Sequence, residues 1–278
     1  MDSGHRGDRS TTGLPARQGP RATAAPAVPE RTAAGVRIGL LGGFGLWVRE
    51  EPVVVPGGSE RVLAFVALCC RAAVPRPLIA GTLWPDASEY CAYANLRSAL
   101  ARLHREGRRA LEIGPAEVRL ARGVTVDLHR ARRIAHRILD PAGTDGIAEP
   151  VLAAVEDLSA DLLPGWYDDW ALMAAEEWLQ LRLHALETLA GRLVAARRYA
   201  EAVAAAQAAV HAEPLRESGQ ACLVRTHLAE GNPSEALRVF TRYARRLEGE
   251  LGLEPTERLR RLVAGLARSR RGDGRPGA

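Results

Sequence analysis

Arg97, Arg102, Arg105, Arg108 and Arg109 lie close together in the sequence, with Ser98 and Ala101 among them. A guanidinium group can bond guanine O6 and N7 through two parallel hydrogen bonds, or clamp phosphate oxygens. Small residues between the arginines let a helix approach a groove closely. The same pattern also suits a solvated amphipathic face, so the arginines alone leave both readings open. Other residue sets could do different chemistry. Asp157 and Asp161, Asp168 and Asp169, and Glu176 and Glu177 are paired acids of the kind hydrolases and metal sites use. They fall in or beside amphipathic segments and lack histidines at ligand spacing. His129 and His136 are seven positions apart on a predicted helix, a pair that reads as structural. The run Gly42-Gly43-Phe44-Gly45 reads as a turn between strands and not as a phosphate cradle.

The composition narrows the options further. All 38 basic residues counted as Lys plus Arg are arginine, which removes a Walker A lysine and any Schiff-base lysine. The formal net charge of +5 favours an anionic partner. Cys69, Cys70, Cys91 and Cys222 have neither zinc-ligand spacing nor a Cys-x-x-Cys pair. With no signal-peptide pattern and no apolar run of membrane length, the expected compartment is the reducing cytoplasm. No cofactor or metal is expected, and the chain does not read as an enzyme.

The elements that would carry the arginines come next. Residues 1–35 are rich in Pro, Ala, Arg and Gly without hydrophobic period and read as a disordered basic arm. Short strands are expected over Val36–Leu41 and Phe44–Val48, then a turn at Glu50-Glu51-Pro52 and another strand over Val53–Val55. A helix from about Glu60 to Arg71 would take Ser59 as its N-cap. A second runs from Arg76 to Trp84 between prolines, and a third from about Ser88 to Arg105. On this third helix Leu96, Leu100 and Leu103 form the apolar face, while Arg97, Ser98, Ala101, Arg102 and Arg105 lie opposite. Ala110–Ile113 and Glu117–Leu120 then read as a hairpin around Gly114-Pro115. Strands, three helices and a terminal hairpin make a winged helix-turn-helix with an N-terminal sheet, which strengthens the DNA reading of the arginines.

From about Glu149 onward the pattern is almost wholly helical. Arg198-Tyr199-Ala200-Glu201-Ala202 returns as Asn232-Pro233-Ser234-Glu235-Ala236, a spacing of 34 positions between Glu201 and Glu235. That period is the mark of tetratricopeptide repeats, which build concave grooves for peptides or protein faces. Ala202 and Ala236 occupy the small-residue position where two helices cross. Arg216, Arg225, Arg242, Arg245 and Arg246 are candidates for lining a surface. Trp166, Tyr167, Trp170 and Trp178 are expected to be packing anchors.

Three segments in the first part carry a resemblance: Leu40-Leu41-Gly42-Gly43-Phe44, Leu83-Trp84-Pro85, and Ala94-Asn95-Leu96-Arg97-Ser98-Ala99-Leu100-Ala101-Arg102-Leu103. In the second part they are Asp161-Leu162-Leu163-Pro164 with Trp170, Glu213-Pro214-Leu215-Arg216-Glu217, Gly231 with Glu235-Ala236-Leu237, and Leu251-Gly252-Leu253-Glu254-Pro255. From about Val36 to Leu266 the chain resembles the Streptomyces antibiotic regulatory protein family. That family joins an OmpR-type winged helix to a bacterial transcriptional activator domain. The resemblance implies an activator that binds direct repeats in double-stranded promoter DNA as a homodimer and recruits RNA polymerase, in gene clusters for antibiotic biosynthesis. It places Arg97, Ser98, Arg102 and Arg105 on the recognition helix, Arg119 and Arg122 on the wing, and Asp86, Ser88 and Glu89 in a loop facing the polymerase. Two positions depart from the family pattern. Val118 stands where a tyrosine commonly precedes the Arg-Leu pair, and His104 stands where an arginine is usual.

The fold expected is therefore mainly α with small β: a winged helix-turn-helix with an N-terminal β-sheet over 36–128, then an all-α tetratricopeptide-like domain over 131–266. A disordered Arg/Gly tail is expected over 267–278. The DNA-contacting set is Arg97, Ser98, Ala101, Arg102, Arg105, Arg108, Arg109, Arg119 and Arg122. The rival reading is a protein–protein adaptor whose winged helix no longer binds DNA, since fold does not fix function.

Overall fold

Alternation of apolar residues starts the first sheet. Val36 and Ile38 on β1 (Val36–Gly39) and Leu46 and Val48 on β2 (Gly45–Val48) point into the core, and the strands pair antiparallel with Ile38 opposite Leu46. The computed structural model describes residues 35–70, 73–141 and 151–272. The arm expected over 1–35 lies outside them apart from Gly35. Gly39 is needed because the Trp47 ring lies across the strand pair: a Cβ there would sit 2.8 Å from the ring. The Arg37 guanidinium stacks 3.8 Å from the ring's centroid on this sheet.

The hairpin that follows differs from the expected one. Arg49 and Glu50 both take the left-handed conformation (φ 54° and 66°), which makes a two-residue turn matched to strand twist. The third strand β3 is consequently Glu51–Pro52, and pairing ends where the Val53 N–H donates to the Leu46 carbonyl (2.8 Å). Val53–Val55 is not a strand, since pairing with β2 stops at the Val53 bond to Leu46.

Helix α1 (Gly57–Leu68) starts earlier than predicted, with Pro56 at its N-cap. Ser59 is not the cap. It is fully buried in the first turn, and its hydroxyl donates to the Ala99 carbonyl at 2.7 Å. β4 (Val74–Pro75) leads into α2 (Arg76–Leu83), which holds Pro77 in its first turn. α3 (Glu89–Arg102) and the four-residue α4 (Arg105–Arg108) precede β5 (Leu111–Ile113) and β6 (Glu117–Leu120). These last strands form the predicted hairpin, and β4 adds to it in the order β4-β6-β5. β7 (Thr125–Val126) returns to the first sheet, parallel to β1, giving β3-β2-β1-β7.

The chain passes from β7 into α5 (Asp127–Leu139) without a linker, so residues 129 and 130 lie inside a helix. Asp127 explains the tight join. Its carboxylate accepts the N–H groups of Leu40 (2.9 Å) and Leu41 (3.1 Å) beyond the end of β1. The helices α6 (Val151–Ser159), α7 (Asp169–Ala195), α8 (Tyr199–Ala212), α9 (Glu217–Glu230), α10 (Pro233–Leu251) and α11 (Glu257–Gly272) follow. α8–α9 and α10–α11 are successive helical hairpins, with Ala202 and Ala236 fully buried at corresponding places. Gly231 and Gly252 end α9 and α10 in the left-handed region, as helix C-caps require. α11 carries on past the expected end at 266, while 273–278 lie outside the described residues.

The winged part and the helical part share contacts along one seam. The Leu163 N–H donates to the Leu40 carbonyl (2.9 Å) and the Gly42 N–H to the Asp161 carbonyl (2.7 Å). Phe65 meets Trp170 edge-on at 5.4 Å, and Phe44 lies 6.2 Å from Trp166. Arg61 on α1 forms an ion pair with Asp168, the residue before α7. Arg182, 2% exposed, donates to the Ser159 carbonyl (2.9 Å) and pairs with Asp161. Trp166, Trp170 and Trp178 are thus packing anchors, with the Trp178 N–H donated to the Ala160 carbonyl (3.0 Å). Tyr167 is not, at 83% exposed. The architecture is the mainly α fold with small β-sheets and an all-α second part that the sequence predicts.

Candidate nucleic-acid interface

α3 is held by its inner face. Ala92, Leu96, Ala99 and Leu100 are buried against the first two helices, and Ser59 fixes the crossing with α1 through its bond to Ala99. At the other end the Ser88 hydroxyl accepts the Cys91 N–H (3.4 Å), a side-chain N-cap. What remains outward is a stripe of small residues, Ala94, Ser98 and Ala101, flanked by Arg97 on one side and Arg102 on the other. At 100° per residue these five share one broad face. Arg97 and Arg102 are exposed and have no acidic partner among the described residues. A shallow helix face edged by unpaired guanidinium groups can enter a major groove and present donors to base edges or phosphates.

Arg105 does not belong to that face. The helix ends at Arg102 because Leu103 turns to an extended backbone (ψ 105°) and stays buried. The chain then reverses through α4, where Gly107 packs closely enough that a Cβ would meet Leu103 at 3.3 Å and Leu46 at 3.6 Å. Arg105 therefore opens a separate short helix, and Arg108 lies exposed at the end of it. Arg109 pairs with Glu106 at 3.2 Å.

The hairpin β5–β6 stands next in the chain. Its tip is tied down by Arg76, whose N–H donates to the Ala116 carbonyl (2.9 Å) and whose guanidinium reaches the carbonyls of Gly114 and Pro115 (both 3.4 Å). Arg119 pairs with Glu112 across the hairpin at 2.6 Å, and the other Glu112 oxygen accepts the Arg122 N–H at 3.4 Å. Val118, at the position where the resemblance would place a tyrosine, is fully buried. Both expected wing arginines are exposed, Arg119 tied to Glu112 through its guanidinium and Arg122 held to the same carboxylate through its backbone N–H.

Asp86, Ser88 and Glu89 are exposed on the connection between α2 and α3, where the Ala87 N–H closes a turn on the Trp84 carbonyl (3.2 Å). Sequence reasoning missed the residue that anchors this loop. Arg61 donates to the Leu83 carbonyl (2.8 Å), lies 6.0 Å from the centroid of the Trp84 ring and pairs with Asp168. Nothing local announces that role, since Asp168 is 107 positions away.

Part of the candidate catalytic set is taken up elsewhere. Asp157 pairs with Arg130 (2.9 Å), Asp161 with Arg182, and Glu176 accepts from Gln180 (2.8 Å). His129 is buried with Nε2 bonded to the Ala67 carbonyl (2.7 Å), whereas His136 is exposed. Among the described residues no group of three or more His, Cys, Asp or Glu could hold a metal ion. No described helix is long and apolar enough to cross a membrane.

The pattern of the bacterial transcriptional activator domain matches residues 126–266, just over half of the 278-residue chain. The chain belongs to this family of transcriptional regulators. The matched segment begins at β7 and α5, so the activator domain takes in the Asp127 contacts to β1 as well as the helical hairpins. The fold is also that of Mycobacterium tuberculosis EmbR in complex with a low-affinity phosphopeptide, at a TM-score of 0.60 and 21% identity. That match covers 84% of this chain and 65% of EmbR, so the chain spans just under two thirds of that structure's length. No curated protein sequence matches. Together these findings support the arrangement implied by the resemblance to the Streptomyces antibiotic regulatory proteins, a winged helix followed by the activator domain.

Proposed function

We propose that this transcriptional activator binds promoter DNA directly through α3 and works without chemistry of its own. The observation that carries the reading is the outward face of α3, where Arg97 and Arg102 flank Ala94, Ser98 and Ala101 with no acidic partner among the described residues. Arg97, Ser98 and Arg102 read base edges. Ala101 allows the close approach. Arg105, Arg108, Arg109, Arg119 and Arg122 contact phosphates around the groove and set register. Asp86, Ser88 and Glu89 form the face offered to RNA polymerase. Binding is to direct repeats as a homodimer, in the cytoplasm, at genes of secondary metabolism. These finer statements rest on the resemblance. The two-part division into a DNA reader and a tetratricopeptide-like domain is proposed on the same ground.

The test is fluorescence anisotropy of the full chain with promoter fragments from its own gene neighbourhood, against scrambled DNA, across a salt series. Arg102→Ala is expected to cost about 1–3 kcal/mol on the preferred site and to relax specificity at one position. Arg108→Ala is expected to weaken all sequences alike and to lower the salt slope by about one. Equal losses on specific and scrambled DNA for both variants would reject base reading by α3. A second reading is favoured by the pairing of Arg119 with Glu112 and Arg109 with Glu106, which subtracts charge from the proposed contact surface. In that reading the winged part is a protein-docking face, and binding to any promoter fragment would be weak and indifferent to sequence.

A further inference from the structure

The helical hairpins enclose a cleft that the DNA reading does not use. α8 and α10 both pack on α9, and a cleft of about 290 Å³ opens where the end of α8 faces α10. Its floor is apolar, built from Val210, Leu223 and Val239, while His211, Arg242 and Arg246 stand at its rim. The α10 contribution follows from helix geometry, because Val239, Arg242 and Arg246 recur at three and four residues along one face. Tyr243 closes the same face with its ring, its hydroxyl directed to the Leu215 carbonyl (3.4 Å).

The charge at the rim is only partly compensated. No acidic side chain lines the cleft. Arg242 is exposed and has no acidic partner among the described residues. Arg246 pairs with Glu250 at 2.7 Å, but both side chains are about half exposed, so the pair is weak and exchangeable. Glu217, which acts on Tyr243, is engaged by the N–H (2.8 Å) and hydroxyl of Thr256.

We propose that this cleft is a docking site for an acidic peptide segment, one apolar side chain entering the floor and flanking carboxylates meeting Arg242 and Arg246. The size fits this occupant. The volume lies just below the range of ligand pockets, about 300–1,000 Å³, enough for a side chain and not for a folded surface. The chemistry separates a peptide from nucleic acid. Duplex DNA would satisfy the arginines through its phosphates but would leave Val210, Leu223 and Val239 without an apolar partner. A carboxylate accepting from a guanidinium makes a charge-assisted bond, and two such bonds around a buried side chain fix the peptide's direction.

The probe is a fluorescein-labelled octapeptide of alternating Asp and Glu with two central leucines, titrated with the full chain and read by anisotropy. Saturable binding is expected, with no binding of the counterpart in which every acid is lysine. Replacing the two leucines by serine is expected to weaken binding at least about fivefold, the loss of a buried apolar side chain. Arg242→Glu is expected to weaken it at least about tenfold, and Arg242→Gln less but in the same direction. Arg245→Glu, outside the cleft lining, is expected to leave it unchanged. Circular dichroism checks that each variant is folded. The proposal is overturned if the acidic and basic peptides bind alike or neither binds. It is overturned equally if the serine peptide binds as well as the leucine peptide, or if neither Arg242 variant weakens binding. A random-sequence duplex that displaces the peptide and loses affinity in step with Arg242→Glu would also overturn it, marking the cleft as a nucleic-acid surface. Promoter binding is expected to be unaffected by Arg242→Glu, so this result and that of the α3 variants are read separately.

Discussion

Phe65→Ala tests whether the winged part and the helical part unfold as one block. Phe65 is 9% exposed on α1 and meets the Trp170 ring of α7 edge-on, at 5.4 Å and 82°. Trp170 in turn meets Trp166 edge-on at 5.8 Å, which carries the contact on to Phe44 beyond β1. Removing a buried phenyl ring costs about 3–5 kcal/mol, counting lost transfer energy and the cavity left behind. About 0.5–1.5 kcal/mol of that belongs to the aromatic pairing. If the seam makes one cooperative unit, this loss subtracts from the stability of every residue that exchanges only by global unfolding. At 1.36 kcal/mol per decade, the slowest amides of α8 and α9 should then exchange faster by roughly two to nearly four orders of magnitude. Hydrogen exchange read by mass spectrometry on the full chain resolves this by segment. A double-mutant cycle with Trp170→Ala should add a coupling of at least about 0.5 kcal/mol. Acceleration confined to α1, α2 and α3, with α8 and α9 as slow as before, would refute the argument and leave two independently stable parts.

Two further outcomes check the packing and the thiols. Ala236 is fully buried at the start of α10, so Ala236→Leu is expected to destabilise the chain by about 1–3 kcal/mol through overpacking, measured by urea denaturation; an unchanged midpoint would mean that the helices do not cross closely there. Burial pushes the Cys222 thiol above its usual range, and burial together with Cys70 does the same for Cys69. Less thiolate at pH 8 means slower attack on a disulfide reagent. Titration with dithionitrobenzoate should therefore show Cys70 and Cys91 reacting first and Cys69 and Cys222 lagging until the chain is unfolded; more than two fast thiols would contradict the burial.

Local order was legible in the sequence where neighbours along the chain decide it. The apolar spacing of Leu96, Leu100 and Leu103, the turn at Gly114-Pro115 and the 34-residue echo each predict an element that is present. Errors arose where a local signal had a distant competitor. Ser59 has the type and position of a helix cap, yet Ala99 on α3 claims its hydroxyl. Val53–Val55 has strand composition, but a strand needs a partner and pairing with β2 stops at Leu46. The spacing of Leu103 extends the α3 pattern, while the chain must reverse there to deliver β5. Asp127 and Arg61 have no local signal in the sequence, because their partners are 87 and 107 positions away.

The arginines show most clearly what spacing alone leaves undecided. Arg97, Arg102, Arg108, Arg109 and Arg119 look alike in the sequence, but the structure sorts them by what they already hold. Arg109 is paired with Glu106 and Arg119 with Glu112, and Arg76 holds the wing-tip carbonyls. A paired arginine must give up its carboxylate before it serves a phosphate, which for an exposed pair costs about 0.2–1 kcal/mol. Arg97, Arg102 and Arg108 carry no such cost. DNA affinity should therefore concentrate on α3 and the end of α4, with the wing contributing less than its charge suggests. Glu112→Gln tests that ranking: it removes one negative charge beside Arg119, so affinity for DNA should rise and the salt slope steepen. An activator whose affinity fell with that substitution would be using Glu112 to aim Arg119 rather than to hold it back.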